Sequence, residues 1–522
     1  TSLVSTDNIN NPRTMNALYL VGPRLEHSLR WGRESLAGGS RDNKQFNDYF
    51  PDGPLTRFFQ KPDTVETPRV LKDGADSVGM LGALNRVYLN IGLFSEEWQL
   101  HFNPVAGGKP ITPIPIAVAN ENSSYWLATE EATPAMALFL VKASGAHHLR
   151  DAPGGEQYLS KDEATLARGK TVFAENCARC HSSKAPEPAE GLDPSGCSGS
   201  GYMACWAKYW DWTKTENYKA QMRAIVNAPD FLDGNYLSAE FRVPVTLLGT
   251  NACSPLATNA LRGNIWDNFS SETYKELPSV GTITVNDPFT GEPRQYQMPG
   301  GGRGFTRPPS LVSLWSTAPF LLNNSVGPFS SDPSVAGRMK SFDASIEQML
   351  WPEKRQMDAI LGDKVHGVID RTTARSWIRI PAGYVPDPLT PLQPALHRWF
   401  PGFFQESNDI TLGPIPAGIP VNLLSNLQPL AESKDPSEVA AHAARVLDLV
   451  KKLNADLVAL PANSTDEQAR KMFENLREPL LALSKCNDFV VNRGHYFGTG
   501  YAGEPGLSDA DKRALIEFLK TF

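Results

Sequence analysis

Two cysteines and a histidine stand together in the segment Cys177-Ala178-Arg179-Cys180-His181. The spacing Cys-x-x-Cys-His is the signature of covalent haem attachment. Two thiols three positions apart on a helical turn reach both vinyl groups of one porphyrin, and the adjacent His181 directs its imidazole at the iron. The motif therefore predicts one covalent haem c, bound through Cys177 and Cys180, with His181 as the first iron ligand.

Zinc knuckles and thiol redox motifs have a similar cysteine spacing. A zinc knuckle needs a second ligand pair at similar spacing, and the sequence has none. A redox motif of the thioredoxin type follows a strand, whereas Leu166, Phe173 and Cys177 have the spacing of one helical face. Gly169 in this helix leaves room for a second helix to approach. The flanking sequence favours haem c.

The last residues of the chain, 506–522, predict a second helix. Ser508 is a suitable N-cap, and Asp509 and Asp511 favour a helix start electrostatically. The apolar residues of this segment share one face, and they are Leu515, Phe518, Leu519 and Phe522.

A helix before the haem motif and a helix at the C-terminus together resemble the class I cytochrome c fold. In that fold the two helices cross at a contact between a glycine and aromatic residues. The resemblance implies that Gly169, Phe173 and Phe518 form this contact here.

The cytochrome c pattern takes its second axial ligand from the loop before the terminal helix, here residues 488–500. This segment contains no methionine, but it contains His495 between a glycine and aromatic residues. We predict His495 as the second ligand. The alternatives are Met298, which precedes Pro299 in a glycine-rich loop, another histidine, or an open iron site. Two histidine ligands give a lower potential than His and Met, and an open site permits oxygen or peroxide chemistry.

The other histidines are His27, His101, His147, His148, His366, His397 and His442. Of these, His101, His147 and His148 are predicted to be structural rather than ligands. His442 lies in a predicted helix over 437–453 and is expected at the surface. The tryptophans at 206, 210 and 212 are predicted to lie in a core, with pocket lining or electron relay as the alternatives.

A chain of 522 residues is too long for one compact core, so two or three domains are expected. The net charge of −7, without a basic run, argues against nucleic acid as a partner. No apolar stretch approaches the length of a membrane span. The first residues lack the regions of a signal peptide, so we expect a processed or shortened N-terminus.

The predicted fold is mainly α with extensive irregular loops. Residues 1–155 form an N-terminal non-haem domain in this prediction, with a buried, helical segment over 82–94. Residues 156–522 form a haem domain of the class I cytochrome c type, interrupted by an insertion at about 183–485. Within the insertion we predict one strand over 281–285, and two helices over 436–485.

Six cysteines are present, and the haem motif uses two of them. The even remainder suggests two disulfides in an exported protein. Cys197 and Cys205 are close enough to close a small loop, and Cys253 and Cys486 then pair over a long range. Buried free thiols are the alternative.

Residues 307–320 read RPPSLVSLWSTAPF. This segment resembles the Pro-x-Leu…Thr-Ala-Pro-Tyr segment that follows the C-terminal haem of bacterial dihaem cytochrome c peroxidases, and the haem c rubber oxygenases are similar. Those proteins carry two haem motifs, whereas this chain has one and has no cysteine in 1–155. Leu322 stands where the family usually has a histidine. The resemblance implies an electron-transfer haem domain and export to the bacterial periplasm.

Three functions remain as hypotheses. The first is single-electron transfer through a six-coordinate haem, with a redox partner protein such as a dehydrogenase. The second is a haem enzyme, a peroxidase or an oxygenase, with an open or displaceable sixth position. The third is a binding or structural module that retains one haem for stability.

Overall fold

The computed structural model describes residue 112 and residues 146–522, except 236, 240, 259–260, 265–271, 307, 322, 381–392, 404–408, 429–430, 462 and 502. Most of the predicted N-terminal domain lies outside these residues, as do the segment 82–94, His27, His101 and Leu322. Within them the chain is mainly helical, and its strands are short.

The helices are α1 Glu163–Asn176, α2 Ala178–His181, α3 Tyr202–Trp212, α4 Glu216–Asn227, α5 Val245–Leu248, α6 Cys253–Leu256, α7 Glu272–Lys275, α8 Val335–Leu350, α9 Gln393–Trp399, α10 Val421–Ser425, α11 Pro436–Ala459, α12 Asp466–Glu474, α13 Arg477–Ala482 and α14 Asp509–Leu519. The strands are β1 Val243–Pro244, β2 Thr282–Asn286, β3 Pro293–Gln297, β4 Phe305–Thr306, β5 Ser376–Ile380 and β6 Ile410–Ile415. The strands pair antiparallel as β1–β4, β2–β3 and β5–β6. Among the described helices, none has the length and hydropathy needed to cross a bilayer.

Helix α14 begins at its predicted cap, and it crosses α1 at the predicted contact. The side chain of Ser508 accepts a hydrogen bond from the backbone N–H of Asp511. A Cβ atom on Gly169 would lie 2.2 Å from the carbonyl oxygen of Ala514, so only glycine allows this approach. The rings of Phe173 and Phe518 meet edge to face with centroids 5.5 Å apart. The crossing predicted from the sequence is confirmed.

The first core surrounds this crossing and includes much of the segment predicted as an insertion. Helix α4 contributes Tyr218 and Met222, and α8 contributes Phe342. Leu149, which precedes α1, is fully buried in the same core. The predicted interruption at 183–485 is therefore built into the packing around α1 and α14.

The second core lies among β6, α10–α13 and the segment that leads to residue 490. Phe489 and Val490 are buried in it, together with Leu423 and Phe473. The disulfide between Cys253 and Cys486 ties α6 to the start of this segment. The chain therefore enters the loop 488–500 from a fixed position. The second predicted disulfide, Cys197–Cys205, is also formed.

Three predictions for residues 281–485 have different outcomes. The predicted strand over 281–285 is β2, shifted by one residue. The region 436–485 contains the three helices α11, α12 and α13 rather than two. His442 is buried, and its Nε2 lies 2.8 Å from the carbonyl oxygen of Gln428, so the predicted surface position is wrong. His442 shares the buried face of α11 with Leu449, two turns away.

Candidate functional site

The haem motif continues directly from α1. The backbone N–H of Cys177 donates to the carbonyl of Phe173, and that of His181 donates to Cys177, so one further helical turn carries the motif. Cys180 and His181 are buried. All four cysteines outside the motif form disulfides, whereas Cys177 and Cys180 remain free thiols. The thiols of Cys177 and Cys180 are therefore available for a different covalent bond.

Both motif thiols are protonated at neutral pH. Burial raises the pKa of Cys177 to about 12 and that of Cys180 to about 11. A redox-active cysteine needs the opposite shift, because the thiolate is its reactive form. The environment of these thiols is that of a packed interior.

His181 is held in one orientation by the segment after β4. Its Nδ1 lies 3.1 Å from the carbonyl oxygen of Pro309. Because a carbonyl only accepts hydrogen bonds, Nδ1 carries the proton of the neutral ring and Nε2 carries the lone pair. Burial, followed by the proximity of His495, lowers the pKa of His181 to about 3. The imidazole is neutral at physiological pH, as a metal ligand must be.

His495 faces His181 from the loop 488–500, which we call the distal loop. The two ring centroids are 6.0 Å apart. The backbone of His495 has φ 54°, a left-handed conformation that is unusual for a residue other than glycine. Desolvation, followed by repulsion from Arg355, lowers the pKa of His495 to about 4, so this ring is also neutral.

The separation of the two rings fits two bonds to one metal ion. A metal–imidazole bond is about 2 Å long, and the bonded nitrogen lies about 1 Å from the ring centre, so opposed ligands have centroids roughly 6 Å apart. The observed distance between His181 and His495 is 6.0 Å. In the part of the chain that the structure describes, no group of three or more His, Cys, Asp or Glu side chains is arranged to hold a metal ion.

Arg179 joins the motif to the distal loop. Its guanidinium forms a 2.7 Å ion pair with Glu504. The same group lies over the ring of Trp210, 4.5 Å from its centroid, and 5.2 Å from that of Phe497. Phe497 in turn contacts His495 edge to face, with centroids 5.9 Å apart. An aromatic wall therefore covers one side of the space next to the two histidines.

Arg355 holds the distal loop from the other direction. Its Nη1 donates to the carbonyl oxygens of Asn492 at 3.0 Å and of Gly494 at 2.8 Å. Its Nη2 lies 3.4 Å from the carbonyl oxygen of His495. The guanidinium is stacked on the ring of Tyr496, 4.9 Å from its centroid. This one side chain therefore contacts four residues of the distal loop, namely Asn492, Gly494, His495 and Tyr496.

The other predicted candidates lie in different surroundings. Met298, the alternative ligand, is buried at the end of β3, where it packs near Val280 and Gly304. Trp206 is a buried core residue, as predicted, and Trp212 is partly buried against the first core. Trp210 is buried too, but it packs against Arg179 and Phe497 beside the site. The pair of rings that the structure brings together is that of His181 and His495.

Sequence reasoning missed Arg179, Arg355 and Glu504. Arg179 occupies a variable position of the motif, and Arg355 and Glu504 are single charged residues without a pattern around them. Comparisons of the chain with protein-family models, curated proteins and solved structures found no match.

Proposed function

We propose that this chain is an exported c-type cytochrome that carries one covalent haem and transfers single electrons. The observation that supports this best is the pair of neighbouring, neutral imidazoles of His181 and His495, whose ring centroids are 6.0 Å apart, in a chain that also has two free thiols in the same motif. In this proposal Cys177 and Cys180 form the thioether bonds, and the two histidines are the axial ligands.

The surroundings of the pair fit a porphyrin. The imidazoles of His181 and His495 would hold the iron, and Cys177 and Cys180 would hold the macrocycle covalently. Nδ1 of His495 is buried without a hydrogen-bond partner among the described residues. Such an orphaned polar atom favours the presence of a further group at this site. Bound haem supplies reversible one-electron chemistry, and two histidine ligands favour a low potential.

The chain's own residues hold this site in one arrangement. The Pro309 carbonyl fixes the orientation of His181. Phe497 packs against Trp210 and against the ring of His495, and Arg355 fixes the loop that carries His495. A site with both axial positions filled by fixed side chains has no position for substrate, so electron transfer is the chemistry that we propose.

The two disulfides support an oxidising compartment, because such bonds form and persist outside the cytosol. We therefore place the protein in the periplasm or another exported location. A redox protein that docks near the haem edge is the implied partner.

The decisive experiment compares the purified protein with its His495→Ala variant by optical and EPR spectroscopy. We expect a low-spin ferric spectrum in the native protein and a high-spin spectrum in the variant. The control is His366→Ala, which removes an exposed histidine and leaves the spectrum low-spin. Denatured protein should also retain its pigment in acidified organic solvent, because thioether bonds survive denaturation. Release of the pigment contradicts covalent attachment.

A haem enzyme is the second candidate, and one observation favours it. His495 has a left-handed backbone at φ 54°, and strain of this kind is concentrated at functional sites. Dissociation of a strained ligand would open the sixth position for peroxide or oxygen. Rapid CO binding after reduction of the native protein would support this candidate over electron transfer.

A further inference from the structure

The guanidinium of Arg355 is buried, and all of its hydrogen bonds go to uncharged acceptors. Besides the distal loop, its Nε donates to the carbonyl of Gln348 at 2.8 Å, and its Nη2 lies 3.4 Å from the carbonyl of Met349. Arg355 is only 5% exposed. Within the described residues, no carboxylate forms an ion pair with it.

Two other arginines with little exposed surface pair with carboxylates. Arg371 pairs with Asp358 at 3.0 Å, and Arg303 pairs with Glu432. A buried charge without an opposite charge is unfavourable for folding. A residue of this kind in the interior therefore needs another reason for its presence.

The conformation of the distal loop supplies that reason. Gly494 has φ 128° and His495 has φ 54°. In this conformation the carbonyl oxygens of Asn492, Gly494 and His495 all lie within reach of one guanidinium. Since a non-glycine residue in this region is strained, the loop needs contacts that fix it. The guanidinium provides three such contacts, at Asn492, Gly494 and His495.

We propose that Arg355 is the positioning residue that keeps the His495 imidazole directed at His181 as the second axial ligand. This inference rests on the proposed haem function. Without the guanidinium, the carbonyls of the loop lose their common donor and the backbone at His495 relaxes. The imidazole then spends more time away from the iron, and external ligands compete with it more effectively.

The test measures the affinity of added imidazole for the ferric protein by optical titration. Loss of an outer residue that orients a metal ligand weakens the metal bond by roughly 10- to 100-fold. We expect Arg355→Met to raise the apparent affinity for imidazole by about this factor. Arg355→Lys should give a smaller increase, because an ammonium group cannot bind three carbonyls in the geometry of the planar guanidinium.

The matched control is Arg338→Met. Arg338 also donates to two backbone carbonyls, those of Ser316 and Ala318, but it contacts a turn outside the distal loop. This variant loses the same kind of interaction, and its imidazole affinity should equal that of the native protein.

A double-mutant cycle separates positioning from a general structural role. In a His495→Ala background, Arg355→Met should have no further effect on imidazole affinity, because the residue acts through His495. An equal effect with and without His495 would overturn the inference. If Arg355→Met does not fold with haem, Arg355→Lys carries the same cycle.

Different results would refute the ligation by His495 and the positioning role of Arg355. If His495→Ala leaves the spectrum unchanged, the proposed ligation itself is wrong. If His495→Ala converts the spectrum but Arg355→Met and Arg355→Lys leave the imidazole affinity unchanged, only the role of Arg355 is refuted.

Discussion

Replacement of Gly169 by alanine tests the packing on which the site rests, independently of any cofactor. A Cβ atom at this position would lie 2.2 Å from the carbonyl oxygen of Ala514 and 2.9 Å from the Cβ of Phe518. Ordinary contacts between non-bonded heavy atoms are about 3.5 Å, so α1 and α14 would have to separate by about 1 Å. The nearest obstacle is backbone, which cannot rotate away as a side chain can.

Two opposing effects set the magnitude of the change in stability. Overpacking of a close contact costs about 1–3 kcal/mol, and the rigid backbone neighbour favours the upper value. Alanine in a helix interior is more favourable than glycine by about 1 kcal/mol. We therefore expect Gly169→Ala to lower the free energy of unfolding by about 2 kcal/mol.

The assay is guanidinium unfolding followed by far-ultraviolet circular dichroism. The control is Ala167→Gly, an exposed position in the same helix, which should lose about 1 kcal/mol through helix propensity alone. The sign of the Gly169→Ala effect is decisive. If alanine stabilises the protein, Gly169 is an ordinary helical glycine and the close crossing of α1 and α14 is refuted.

Two further predictions concern pH and the disulfides. In protein without haem the pKa of His181 is lowered to about 3 and that of His495 to about 4, so the unfolded chain takes up protons first as the pH falls below about 6.5. The guanidinium midpoint should therefore fall between about pH 7 and pH 5, and the fall should be smaller in His495→Ala; an equal fall would contradict the pKa shift of His495. Replacing Cys253 and Cys486 by serine opens a connection over 233 residues, and replacing Cys197 and Cys205 opens one over 8 residues. Chain entropy predicts losses of about 5 and about 2.5 kcal/mol in the free energy of unfolding, and the reverse order would contradict this account.

Local patterns predicted the elements that carry the candidate site. The spacing of Leu166, Phe173 and Cys177 indicates α1, and Ser508 marks the start of α14. Gly169 predicts where these two helices cross. These features depend on residues close in sequence, so helical periodicity and capping are sufficient to find them.

Contacts between distant segments were not predictable in the same way. Arg355 reaches the distal loop across a large separation in sequence, and no local pattern distinguishes it from a surface arginine. The burial of His442 depends on which face of α11 packs, and the alanines on both sides of His442 do not distinguish one face from another. The segment predicted as an insertion supplies Tyr218 and Phe342 to the first core. Packing depends on which side chains are close in the folded structure, and separation along the sequence does not reveal this.

The two facing imidazoles come from nearly opposite ends of the described chain, and this has a consequence for biogenesis. During synthesis the Cys177–His181 segment emerges before His495, with most of the described residues between them. Contacts between such distant segments form slowly, since closing a long loop is entropically unfavourable. If the proposed haem is attached before the distal loop folds, one face of the iron would stay open to small molecules. On this proposal the nascent protein would need protection from oxidants until His495 reaches the iron.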